Sequence, residues 1–295
     1  MTRQTRERMI EALLFASAVT AVVIVLLIMV FLFKEGAPFL LKFGIHTFCL
    51  GMEWNPIAMD GEPSYGIFPM IVGSVYIAAG SLVLAVPLGI SCAVFLVEIA
   101  PLWAEALIRR GVELLVGIPS VVLGFFGLVL LVPLIRDSAG GFGFSILAGS
   151  VILAIMALPH IISISADAIT AVPETYKQAS LALGATRWHT IRNVILPAAR
   201  SGIVAAVILG MGNSIGETMA VLMVTGNSPI LPAPFYDVLD PVRTMTANIV
   251  IEMNYAAPGN HRQALFATGI VLFVMVAILN AISHRALKSK MEAGR

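Results

Sequence analysis

Glu217 is the residue whose setting most asks for a chemical role. It sits about sixteen residues into an apolar run that begins at Ser201, with Asn213 one turn earlier and Ser214 beside it. An ionisable side chain at membrane depth costs roughly 3 kcal/mol or more unless it is paired, and such residues mark pathways and coupling elements. The competing reading is structural. Glu217 would close a hydrogen bond to a neighbouring helix while Gly212 and Gly216 form a small-xxx-small packing face, and Gly210 would add to the close approach. The two readings are compatible.

Other chemistry finds little support. There is no G-x-x-x-x-G-K-[ST] loop, so nucleotide hydrolysis is not expected on this chain and uphill work would draw its energy from elsewhere. The five histidines, at positions 46, 160, 189, 261 and 284, are scattered, and no His/Cys cluster has metal-ligand spacing. Cys49 and Cys92 fall at different levels of the protein, so a mutual disulfide is not expected. No repeat relates the two halves, which weighs against a carrier built from repeats.

A second feature is a polar island between Ser163 and Arg200 in an otherwise apolar sequence. It reads Gln178-Ala179-Ser180, three residues, Gly184, nine residues, then Val194-Ile195-Leu196-Pro197. Pro173 and Glu174 open a helix, Gly184 permits a sharp turn, and a second helix follows with Trp188, Ile191, Val194 and Ile195 as an apolar stripe. Pro197 marks the entry to the next span. The pattern is that of a docking hairpin, or of a plain linker between spans.

The elements that must position these residues follow from composition. With 59% hydrophobic and 12% charged residues and a mean hydropathy of +0.95, the chain is an integral membrane protein. A net charge of +1 gives no nucleic-acid footprint. Six stretches reach the roughly 20 residues that a crossing needs: Ala12–Phe33, a segment within Pro63–Val97 bent or ended near Pro87, Leu114–Ile135, and segments within Phe144–Ile164, Ser201–Thr225 and Gln263–Ser283. Helices are expected throughout, because lipid offers the backbone no partners. The first stretch is too long for a secretory signal and reads as an uncleaved helix.

Thirteen of the eighteen Lys and Arg fall on the termini, a short loop around Arg109 and the polar island, against five on the alternate loops. The positive-inside rule makes the first set, with both termini, cytoplasmic. The loops Lys34–Gly66 and Gly226–Arg262 then face outward. In the latter, Arg243 to Asn254 is a potential surface helix in which Arg243 and Glu252 are too far apart for an i,i+4 pair and need separate partners. Glu98, Glu105 and Glu113 flank spans as helix-end carboxylates with no transport role, and Glu105 pairs with Arg109 at i,i+4.

The island resembles the cytoplasmic loop of permease subunits of ATP-binding-cassette importers, E-A-A-x3-G-x9-I-x-L-P. Ala179, Gly184, Leu196 and Pro197 stand where expected, and Gln178, Ser180 and Val194 replace Glu, Ala and Ile. Ala185-Thr186-Arg187-Trp188, Gly117-Ile118-Pro119-Ser120 and Gly216-Glu217-Thr218-Met219 further resemble phosphate-specific permeases, closer to the PstC-type than the PstA-type subunit. The resemblance covers most of the chain after Gly66, and Trp54-Asn55-Pro56 adds a short match before it.

The resemblance implies an all-α, six-span type I importer permease in a prokaryotic inner membrane. Residues 1–66 would form the first span and outward loop, and 67–295 the permease core with its coupling loop at about 163–200. It also implies a second permease as heterodimer partner, two ATP-binding subunits holding ATP and Mg, an extracytoplasmic phosphate-binding protein, and no cofactor on this chain. Gln178, Ala179, Ser180, Gly184, Leu196 and Pro197 would then meet the ATPase, with Glu217, Asn213 and Ser214 on the substrate pathway.

Mono- and dihydrogen phosphate carry a proton that a carboxylate accepts, whereas sulfate at neutral pH carries none, so Glu217 could select phosphate. The family motif reads Arg-Ala-x-Gly-Glu where this chain has Asn213-Ser214-Ile215-Gly216-Glu217. The missing cation would come from the partner permease, Arg200 or Arg243, or the ligand differs. The alternatives are a permease for molybdate or tungstate, and a non-conducting membrane scaffold or regulatory subunit.

Overall fold

The computed structural model describes residues 3–57 and 62–292. The order is α1 (Arg3–Phe43), α2 (Ile45–Leu50), a two-residue strand β1 (Trp54–Asn55) paired antiparallel with β2 (Ser64–Tyr65), and α3 (Phe68–Val94), which runs on as a π turn to Ile99. Next come α4 (Leu102–Gly117), α5 (Ser120–Phe126), a π turn and α6 (Val132–Ala139), then α7 (Ile146–Thr170). A hairpin of α8 (Glu174–Ala182) and α9 (Arg187–Thr190) leads through a third π turn, Ile191–Ile195, to α10 (Leu196–Ala198). The chain ends with α11 (Arg200–Gly216), α12 (Met219–Val224), α13 (Met245–Met253) and α14 (Asn260–Glu292).

Five helical stretches are long and apolar enough to cross a bilayer: Met9–Phe43, Phe68–Ile99, Ser120–Ala139, Ile146–Thr170 and Asn260–Ile282. The pair Arg187–Ala198 and Arg200–Gly216, bent by 69°, supplies the sixth if it counts as one crossing. Five of the expected six spans therefore appear as single helices and the other as the bent pair, with four corrections. Pro87 does not end its helix: α3 continues through it, with the ring exposed. Proline is tolerated there because adjustments within a helix bundle re-satisfy the freed carbonyl.

The short loop around Arg109 is instead the helix α4, and the third span starts at Ser120 rather than Leu114. The cause is Pro119, which forces Ile118 into extended backbone and ends α4. The fifth span breaks after Gly216. Finally, Arg243–Asn254 is no surface cover: α13 buries Met245, Thr246, Ala247, Asn248 and Glu252.

The centre is α3 packed along α7, with α11 against both. Small residues set the spacing. A Cβ on Gly89 would stand 2.6 Å from Ile161 Cγ2, so only glycine lets the two helices approach this closely. Ser145 starts α7 by accepting the Ala148 amide at 3.1 Å. α1 packs on α14 through edge-to-face pairs, Phe31 with Phe266 and Phe33 with Phe273, and presents Leu13, Leu14 and Phe15 outward as a lipid-facing helix does.

Two apolar cores hold the ends of this bundle. At one end Phe39, Phe48, Trp54, Tyr65, Met70 and Leu265 join the first loop to α13 and α14. At the hairpin end Ala93, Val94, Ala166, Ile169, Ile191, Ile195 and Ile203 join α3 and α7 to the segment after α9.

Candidate functional site

The break in the fifth span is made by its own carboxylate. Glu217 adopts extended backbone, and its Oε1 accepts the amides of Thr218 at 3.1 Å, Met219 at 3.0 Å and Ala220 at 3.3 Å. These are the orphan donors of α12, so the side chain ends one helix and caps the next. All three bonds fall on Oε1, and among the described residues none is made to Oε2. Mid-helix placement, as the apolar run alone suggests, is thus corrected.

Asn213 is exposed one turn before the break, on the open side of α11. Ser214 is buried and donates to the Gly210 carbonyl at 3.0 Å, which turns its hydroxyl into its own helix. Gly210 packs on Ile161, but a Cβ at Gly212 or Gly216 would meet nothing within 4 Å. The Gly212, Asn213 and Gly216 face is therefore open in this chain rather than packed on a neighbour.

The far end of the break touches α13. Thr246 donates from Oγ1 to the Glu217 carbonyl at 3.4 Å, and shares a 3.0 Å contact with Thr244 Oγ1. Thr244 caps α13 by accepting the Ala247 amide at 3.1 Å, and the Met245 amide donates to Ser74 of α3 at 3.0 Å. So α13 is pinned between α3 and the break.

What holds α13 from behind is a buried ionic cluster. Arg243 and Glu252 do not take separate partners: Nη1 meets Oε1 at 2.8 Å. Arg243 lies before α13 starts, so helical spacing does not govern its reach. It also donates to the Asn227 carbonyl at 2.8 Å and to Asn248 Oδ1 at 3.1 Å. Glu252 Oε2 accepts from Trp54 Nε1 at 2.8 Å and lies 2.9 Å from His261 Nε2. Trp54, weak as a sequence signal, is thus the tie from the first loop to the second.

At the hairpin end, Gly184 has φ +83, a left-handed turn suited to glycine, and Thr186 caps α9 by accepting the His189 amide at 3.2 Å. Ser180 Oγ lies 2.9 Å from Thr190 Oγ1, which fastens α8 to α9. Gln178 and Ala179 are exposed, Leu196 is half-buried, and Pro197 is exposed in the first turn of α10. Ile191 and Ile195 are buried as the stripe predicts, but Trp188 is not: it is 62% exposed, in the short first turn of α9 next to the Gly184 turn. With Leu183, 90% exposed, and Tyr176 it leaves an apolar ridge that none of the described residues covers.

Glu98 departs most from expectation. It occupies the last turn of the α3 extension, where the helix dipole disfavours an anion, and Lys177 of α8 compensates with Nζ at 2.8 Å from Oε2. The exposed Glu105–Arg109 pair forms as expected, at 3.4 Å. Among the described residues no group of three His, Cys, Asp or Glu could hold a metal ion.

Residues 85–292 match the model of the family described as binding-protein-dependent transport system inner membrane component. The chain is 42% identical over 277 residues to the probable ABC transporter permease protein YqgH of Bacillus subtilis (strain 168), covering 92% of this chain and 87% of that one. It is 34% identical over 266 residues to the phosphate transport system permease protein PstC of Haemophilus influenzae, covering 83% and 82%. Among solved structures, a bacterial alginate ABC transporter in complex with a pentasaccharide-bound periplasmic protein aligns with TM-score 0.60 at 18% identity, over 97% of this chain and 99% of that one.

Proposed function

The chain belongs to the binding-protein-dependent transport system inner membrane component family, and from that premise we propose that it is the phosphate-conducting permease subunit of an ATP-driven importer. Membership implies ATPase and binding-protein subunits as partners. The reading is finer: a second, homologous permease as heterodimer partner, two ATP-binding subunits carrying ATP and Mg, and a phosphate-specific binding protein. The hairpin end and both termini would face the cytoplasm, in agreement with the Lys and Arg distribution.

The observation that carries the substrate is Glu217. Its Oε1 is committed to the α12 amides, while its second oxygen accepts no bond from the described residues and Asn213 lies exposed on the open glycine face one turn earlier. A carboxylate there accepts a hydrogen bond from protonated phosphate and offers sulfate only repulsion. The cation that phosphate also needs is not Arg243, which is bound to Glu252. Nor is it Arg200, which precedes Asn213 by thirteen residues of helix, about 20 Å. The second permease then supplies it across the open face.

Transport would follow alternating access. ATP-driven closure of the partner dimer moves the hairpin that carries Gln178, Ala179, Ser180 and Gly184 and, through Leu196 and Pro197, the start of α11. The α11 break is the element whose opening alternates. Asn213 in place of arginine favours one second reading, a permease for another oxyanion such as molybdate or tungstate.

The test is uptake of radiolabelled phosphate into vesicles holding this chain with its co-encoded partners, competed by molybdate and sulfate, with Glu217→Gln in parallel. ATP-dependent uptake that the variant loses supports the reading. Uptake of molybdate but not phosphate would replace the substrate, and no uptake by an intact complex would sink the permease assignment.

A further inference from the structure

We propose that Glu98 and Lys177 form the strut that carries movement of the α8–α9 hairpin into the membrane core, a role that rests on the permease reading above. α8 buries none of its own residues, so it has no apolar grip on the bundle. Its side-chain link to α3 is Lys177, whose Nζ reaches Glu98 Oε2 at 2.8 Å. Among the described ion pairs, this is the one that joins the hairpin to a membrane helix.

The pair is built to transmit force rather than to decorate a surface. The Glu98 side chain is 6% exposed and that of Lys177 25%. A cavity of about 130 Å3 beside them is lined by Val97, Ile169, Val172 and Ile195 together with the polar Thr170 and Glu174. With its carboxylate almost wholly buried, Glu98 cannot lose Lys177 without leaving a buried charge unpaired, so the two ends move together. The π turn Phe95–Ile99 places the carboxylate, since one extra residue in the turn re-aims the side chains that follow.

From Glu98 the path to the substrate is a sequence of rigid contacts. α3 packs along α7 with Gly89 against Ile161, and the same Ile161 meets Gly210 of α11. Gly210 accepts the hydroxyl of Ser214, three residues before the Glu217 break. A displacement of Lys177 is therefore delivered to α11 through side chains that have no space to yield.

The experiment compares the wild-type complex with Lys177→Met, Glu98→Gln and the reversed pair Glu98→Lys/Lys177→Glu. All are assembled with the co-encoded partners in vesicles, where phosphate uptake and ATP hydrolysis are read together. The single variants are expected to keep hydrolysing ATP while phosphate moved per ATP falls about tenfold, a usual size for coupling between sites. The reversed pair is expected to recover most of that ratio.

A merely structural tie would lower assembly, hydrolysis and uptake together and leave the ratio unchanged, which would overturn the strut. So would a reversed pair no better than the single variants. If the wild-type complex hydrolyses ATP and moves no phosphate, the function proposed above fails and the strut with it; a wild-type complex that works beside single variants of unaltered ratio sinks the strut alone.

Discussion

Arg243 and Glu252, nine residues apart in the chain, meet at 2.8 Å with side chains that are 14% and 5% exposed. The pair closes a clasp around α13: Arg243 holds the loop before it, Glu252 its last turn, Trp54 the first loop and His261 the start of α14. One end of α13 then has a fixed position, and at its other end Thr246 touches the Glu217 carbonyl. The clasp thus positions the helix that borders the break.

Because Glu252 is almost fully buried, removing its charge strands the Arg243 guanidinium. Loss of one partner from a buried pair costs about 3–5 kcal/mol. Glu252→Gln should therefore lower the unfolding temperature of the purified permease clearly, and Arg243→Met combined with Glu252→Leu should regain much of it. Thermal unfolding in detergent decides; an unshifted Glu252→Gln would mean that the clasp bears no load.

Glu217 has two separable duties. Capping of α12 needs only an acceptor oxygen, which glutamine retains and alanine lacks, so Glu217→Ala should cost about 1 kcal/mol of stability and Glu217→Gln little. Accepting a proton from phosphate needs the carboxylate. A hydrogen bond to a charged group is worth about 1.5–3 kcal/mol, so Glu217→Gln should lower phosphate uptake efficiency by roughly 10- to 150-fold. Equal uptake by Glu217→Gln and wild type would confine the residue to capping.

Tyr255, in the turn after α13, has its phenol pushed above the ordinary 10.0 by burial first and by the Glu252 carboxylate second, with Arg243 acting in the opposite sense. The folded loop favours the neutral phenol, so this contribution is intact below pH 10 and is lost as pH rises through the folded value. The ring is half-exposed, so solvent keeps the effect small. Melts between about pH 9 and 11 should fall more steeply for the wild type than for Tyr255→Phe; parallel curves would remove Tyr255 from the cluster.

What was legible in the sequence is what local pattern encodes. Hydropathy gave the crossings because lipid rewards uninterrupted apolar runs, and the polar island gave the hairpin, its turn at Gly184 and the buried line of Ile191 and Ile195. Features that depend on meetings between elements were not legible. Glu98 looks like any helix-end acid until Lys177 is seen across from it, and Arg243 cannot be paired with Glu252 by counting residues. Glu217 hides its break because the residue that interrupts the helix also caps the next one. Trp188 was misplaced by extending the apolar stripe back to the start of α9, where the hairpin leaves it exposed.

The exposed ridge on the hairpin separates docking from folding. Leu183 is 90% exposed, so Leu183→Asp should change stability by no more than about 0.5 kcal/mol. If the ridge is where the ATPase seats, the same change places a charge in an apolar contact and should weaken ATPase binding by about 2 kcal/mol or more, roughly 30-fold. Gly184 behaves in the opposite way. No atom lies within 4 Å of where its Cβ would be, so its substitution costs only the left-handed backbone at φ +83, about 1–2 kcal/mol for most residues and less for asparagine. Titrating the solubilised permease with its ATPase subunit should therefore rank Leu183→Asp weakest, with Gly184→Asn near wild type and Gly184→Val between them. Leu183→Asp binding as tightly as wild type would place the ATPase on some other surface of this end of the bundle.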